Sequence, residues 1–193
     1  MTTQELILYT ARNLFNSIGT AKASTNHIAA EAGISPGNLY YYYKDKAHIV
    51  REIYEQMIQA WETTYELVES QRASLDGLKQ FITDNFELLW QYRFFNREMV
   101  VLLNADPILA ERHAAISQAR FERQRLILQH AVVEGVLRFP QYEVQLDEVL
   151  TMAWIVANYY LVHLEAMRQQ VEKADFQSGA ELVLKVLSPY MQS

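Results

Sequence analysis

Between positions 35 and 46 the chain reads SPGNLYYYYKDK. Asn38 offers a hydrogen-bond donor and an acceptor, Tyr40 to Tyr43 offer phenols, and Lys44 and Lys46 add positive charge. Such a set does reversible chemistry, through hydrogen bonds and charge attraction. The patterns that make and break bonds are missing: there is no His-Glu-x-x-His pair, no phosphate-cradling glycine loop and no Gly-x-Ser-x-Gly elbow. Cysteine is absent, which excludes disulfides, thiol catalysis and thiolate zinc sites. His113, His130 and His163 stand far apart without carboxylates in a ligand pattern, so neither a metal nor a cofactor is expected. The tyrosine run poses a geometric problem. A helix turns about 100° per residue, so four neighbouring rings sweep most of its circumference and cannot all face one core.

The elements that must hold this run are short and well punctuated. Leu6, Ile7, Thr10, Leu14 and Phe15 recur at helical spacing, and Gly19 ends that segment. Ser24 suits the cap of a second, short helix with Ile28, Ala29 and Ala32 on one face, which Gly33 stops. Ser35 caps a third helix, with Pro36 at its first position, where a missing N–H costs nothing. Three short helices with a tight turn between the last two make a helix-turn-helix. Asp45 can cap a fourth, long helix from Lys46 to about 71, with Ile49, Ile53, Met57, Trp61 and Val68 as its apolar stripe. Further helices are predicted over about 74–92, 94–104, 107–134, 146–170 and 175–192, with a long loop at 136–145. No segment reads as a strand. The expected fold is all-α, with a three-helix helix-turn-helix domain at 1–45 and a larger helical domain at 46–193.

Charge is divided unevenly. Of 17 basic and 23 acidic residues, four and three fall in the first fifty, so that part carries +1 and the rest −7. Only the N-terminal part can approach a polyanion without strong repulsion. No stretch approaches the ~18 apolar residues of a membrane span, and no signal peptide is read at the start. A cytoplasmic protein is expected.

Residues 3–50 resemble the DNA-binding domain of TetR-type (TetR/AcrR) transcriptional regulators. The matching residues are Ala11, Leu14, Phe15 and Gly19, then Ser24, Ile28, Ala29 and Ala32 to Ser35, then Gly37 to Lys46. The resemblance covers about a quarter of the chain. The rest is similar only in helical layout. It implies that Pro36, Gly37, Asn38, Tyr40, Tyr41, Tyr42 and Lys46 sit where family members touch DNA. The physical reading agrees. Ser35 opens the recognition helix, Gly37 lets backbone come close, and Asn38 can read a base edge. Leu39 and Tyr43, four apart, share the inward face, and Tyr40, Tyr41 and Tyr42 turn outward. Ser24 and Thr25 open the second helix toward the same backbone. The family most often has His-Phe where this chain has Tyr42-Tyr43, so no operator can be copied from a relative.

The C-terminal part suggests two further partners. Along the helix at 146–170, Leu150, Trp154, Ala157, Leu161 and Leu164 form one apolar stripe and Val149, Met152, Val156, Tyr160 and His163 approximate a second. With the equally broad helix at 175–192 this suits a symmetric homodimer. By the resemblance, a small molecule binds among the fourth to eighth helices. Trp61, Tyr65, Phe86, Trp90, Phe95, Phe121, Trp154 and Asn158 are the candidate pocket, suited to a hydrophobic or aromatic effector. Arg120, Arg123 and Arg125 read as salt-bridged surface. The expected function is a ligand-responsive DNA-binding regulator, a repressor released from a palindromic operator, and not an enzyme. The alternative is a helical small-molecule binding protein or enzyme without a DNA target.

Overall fold

The computed structural model describes residues 1–140, 142–168 and 170–192. The chain forms helices α1 (Thr3–Ile18), α2 (Thr25–Glu31), α3 (Pro36–Tyr42), α4 (Lys46–Glu69), α5 (Leu75–Gln91), α6 (Arg93–Ala105), α7 (Pro107–Val133), α8 (Tyr142–Met167) and α9 (Lys173–Leu187). A single 3₁₀ turn, Ser188–Tyr190, follows. Among the described residues there is no strand, only an isolated antiparallel bridge between Leu137 and Met191. The all-α reading holds.

Most helix starts carry their sequence signal. Thr2 and Glu5 form a reciprocal capping box on α1. Asp45 Oδ1 accepts the His48 N–H at 2.7 Å to open α4. Asp106 Oδ1 accepts from the Ile108 and Leu109 amides to open α7. Each cap satisfies backbone donors that the first turn leaves orphaned.

Two boundaries differ from the sequence reading. The helix α8 starts at Tyr142, so the loop before it is shorter than 136–145. That loop is pinned to the C-terminal segment: Arg138 N–H donates to Tyr190 O at 2.8 Å, Gln192 N–H donates to Val136 O, and Phe139 stacks on Tyr190. The last α-helix stops at Leu187 and passes into the 3₁₀ turn Ser188–Tyr190, where Pro189 has no N–H to continue the α-helical hydrogen bonding.

The chain packs into two compact units. The first comprises Met1–Gln59 and Tyr92–Glu111, and the second comprises Ala60–Gln91 and Arg112–Ser193. In the first, Ile7, Phe15, Ile28, Leu39, Tyr43, Ile49, Ile53 and Phe94 form the core. Burying each such side chain contributes about 1.5–3 kcal/mol before chain entropy is charged against it. Polar ties fix α6 to the helix-turn-helix within this unit. The Glu98 carboxylate accepts from the Thr20 amide and hydroxyl, and Asn16 Oδ1 accepts the Phe94 N–H at 3.0 Å.

In the second unit, α9 packs on α5 and α8 around Phe176, whose ring meets Phe86, Trp90 and Tyr160. Gly179 makes this approach possible. A Cβ there would stand 2.4 Å from Phe86 Cε1 and 2.6 Å from Tyr160 Cδ1. Alanine would gain about 1 kcal/mol of helix propensity but incur about 1–3 kcal/mol of overpacking. Gly179→Ala is therefore expected to lower the urea midpoint. A raised midpoint would show that the ring cluster gives way freely.

The surface of α8 also corrects a detail. The second apolar stripe is Met152, Ile155, Tyr159 and Val162, all exposed and spaced three, four and three apart. Tyr160 and Val149, read from sequence as part of that stripe, face inward instead: Val149 is buried, and Tyr160 bonds Ser178 Oγ through its hydroxyl at 2.9 Å. Leu182 on α9 is exposed as well.

Candidate nucleic-acid interface

The turn between α2 and α3 is built by backbone chemistry. Ser24 Oγ accepts the His27 amide at 3.1 Å and Ser35 Oγ accepts the Asn38 amide at 3.2 Å, capping both helices. Between them Gly33 adopts φ 67°. Its N–H donates to Ala30 O and the next amide, of Ile34, donates to Ala29 O. This paired closure needs a left-handed residue, which glycine supplies without a Cβ clash.

The third helix separates its side chains as the 100° repeat requires. Leu39 and Tyr43 are buried, and Tyr43 donates its hydroxyl to the Gln4 carbonyl at 3.4 Å. Burial pushes the Tyr43 phenol above its ordinary pKa, so it stays protonated. The opposite face is open. Ser35, Pro36, Gly37 and Asn38 are exposed, Tyr40 is 51% exposed and Tyr41 81%. Tyr42 is half-buried and holds the Tyr41 ring edge-on, with centroids 5.0 Å apart. The Tyr40 hydroxyl lies 2.8 Å from Thr25 Oγ1, which ties the start of α2 to the middle of α3. Lys46 Nζ donates to Thr20 O at 2.6 Å, which anchors the ammonium beside the α1–α2 turn. One N–H of the three is used there, and the rest can meet an anion. Asn38, Tyr40 and Tyr41 thus form one outward patch of polar groups and flat rings on a capped, rigid helix.

A cavity of ≈ 70 Å³ lies inside the second unit, lined from α5, α7, α8 and α9. Phe86, Trp154 and Asn158 line it, together with Asn85, Arg120 and Gln124. The other sequence-nominated residues are distributed around it or away from it. Trp61 and Tyr65 are buried against Arg120, and Phe121 packs edge-on to Trp154. Trp90 packs on Phe176, and Phe95 lies in the first unit against Tyr54.

The three arginines of α7 divide. Arg123 pairs with Glu62 and Glu69, and Arg125 with Asp147, as a salt-bridged surface should. The Arg123 pairing holds the Glu69 carboxyl below its usual pKa. Arg120 corrects the reading: it is only 8% exposed. A signal for this was present, since Arg120, Gln124 and Leu128 recur at i, i+4 and i+8 on one buried face.

Comparison with known proteins decides what this arrangement belongs to. A family model described as "Bacterial regulatory proteins, tetR family" matches residues 7–53, and one described as "Bacterial transcriptional repressor" matches 53–193. The chain belongs to the TetR family. A TetR-family transcriptional regulator from Marinobacter aquaeolei VT8 has the same fold, with TM-score 0.89 and 28% identity over 100% of this chain and 92% of that one. The probable HTH-type transcriptional regulator YttP of Bacillus subtilis is 25% identical over 82% of this chain and 80% of its own length. A TetR transcription regulator from Haloarcula marismortui, 14% identical, shares the fold with TM-score 0.75 over 98% of both chains. This TetR-family chain is a DNA-binding transcriptional regulator, from a family of regulators and not of enzymes. Among its described residues no helix is long and apolar enough to cross a membrane.

Proposed function

We propose that the protein is a cytoplasmic homodimeric repressor that holds a two-fold operator and is released by a small effector bound in its second unit. The outward face of α3 carries this reading. A lone helix-turn-helix makes few phosphate contacts and binds weakly. Two, presented by a dimer, reach major grooves one helical turn apart and read a near-palindrome. The exposed stripe Met152, Ile155, Tyr159 and Val162, with Leu182, supports the dimer. An apolar strip of that length belongs against a partner more naturally than against water. In a two-fold pair each stripe meets its own copy.

Asn38 reads a base edge, and Tyr40 and Tyr41 bond phosphates and pack on the sugar backbone. Lys46, Ser24 and Thr25 fix the register through phosphates. Release follows if the effector prefers a conformation whose recognition helices are wrongly spaced. The cavity among α5, α7, α8 and α9 supports a mostly apolar effector with a few polar anchors.

Selection of genomic fragments by the purified protein tests the reading. A single recovered site with two-fold symmetry, bound with a steep loss of affinity at raised salt, is the expected result. Failure to enrich any site, or enrichment independent of salt, would overturn it.

A further inference from the structure

We propose that the cavity of the second unit is a site for a small monocarboxylate, held by Arg120. The inference rests on the reading of that cavity as the effector site and specifies its chemistry. Arg120 lines the cavity and is 8% exposed. Its guanidinium lies over the Trp61 ring at 3.2 Å from the centroid and 5.1 Å from that of Trp154, and Nε donates to the Tyr65 hydroxyl at 3.2 Å. Among the described residues no carboxylate pairs with it. A buried cation without a counter-ion is costly, and ring faces offset only part of that cost. The arrangement becomes favourable when an anion enters.

The surroundings select the anion. Gln124 Nε2 donates to the same Tyr65 hydroxyl at 3.0 Å, so this phenol accepts twice and stays oriented. Asn85 and Asn158 each donate one amide N–H to a carbonyl of their own helix, of Phe81 and Trp154, which leaves Arg120 as the charged residue among those that line the cavity. His113 is pushed below its ordinary pKa, first by burial and then by Arg120, and stays neutral. The site therefore supplies one positive charge, which matches a carboxylate better than a doubly charged phosphate monoester. The planar fork of arginine also meets a carboxylate in two parallel hydrogen bonds. The volume, ≈ 70 Å³, is below the ~150 Å³ of a cavity that takes benzene. A short acid fits with little change, and an aromatic acid requires the Trp154 ring to shift.

Calorimetric titration of the intact protein with butyrate and benzoate, against butyramide, benzamide and phenyl phosphate, tests this. At least one acid should bind at least about 30-fold tighter than its amide, the scale of a buried charge pair. Arg120→Met should abolish that preference while leaving the melting temperature equal or higher, since it removes an unpaired buried charge. Equal binding of acid and amide, preference for phenyl phosphate, or no binding of either acid overturns the proposal. The wild-type comparison decides even if the variant fails to fold. Operator binding is read in parallel to separate the two readings. An acid that binds through Arg120 without changing operator affinity leaves this site standing and removes its regulatory role. An amide that binds and releases the operator does the reverse.

Discussion

Replacing Ile155 and Tyr159 together by glutamate is expected to leave a folded monomer whose operator affinity is about a thousandfold lower. Both side chains are about half exposed, at 53% and 48%, so the isolated subunit loses little by the change. The dimer loses much more. A two-fold interface uses each position twice, so the double variant places four carboxylates in an apolar seam, where burial of an unpaired charge is strongly unfavourable. Without the pairing the second recognition helix is no longer delivered at high effective concentration, and the avidity factor of about 10²–10⁴ disappears. Sedimentation velocity measures the first effect and fluorescence anisotropy with the selected operator the second. A variant that still sediments as a dimer would show that the stripe is not the interface.

Tyr41→Ala is expected to weaken operator binding about 30- to 1,000-fold while the dimer and its thermal stability persist. The ring is 81% exposed, so the folded chain does not depend on it. On DNA the same ring is worth about 1–2 kcal/mol per protomer through packing and a charge-assisted hydrogen bond to phosphate. Two protomers double that figure. Tyr41→Phe separates the contributions, since it keeps the ring and removes the hydroxyl. If anisotropy finds Tyr41→Ala binding like the parent, α3 does not meet the duplex through this face.

The N-terminal unit was legible because its signals are local. Ser24, Ser35, Pro36, Gly33 and Asp45 act within three or four residues of themselves, and each does in the structure what its type and position imply. The division of α3 into an inner Leu39–Tyr43 face and an outer Tyr40–Tyr41 face follows from helical pitch alone. The second unit is harder to read. Apolar residues lie around most of α8, so periodicity cannot say which stripe meets which neighbour, and the exposed stripe came out about one residue out of phase. Aromatic spacing reveals burial but not the partner. Phe95 and Phe86 look alike in sequence, yet one packs on Tyr54 and the other lines the cavity. Arg120 was hidden by its charge, since only the assembled helices show that it is buried and that no carboxylate among the described residues pairs with it.

The long helix α4 continues unbroken through the point near residue 53 where the two family matches meet. This sets a rule for anyone exchanging sensor modules between relatives. Each residue added or removed at such a splice turns the rest of α4 by about 100° and shifts it by about 1.5 Å along the axis, which takes its apolar stripe out of phase. Functional chimaeras should therefore recur in register with whole turns, and joins that break this phase should yield proteins that still take up inducer but have lost command of the promoter.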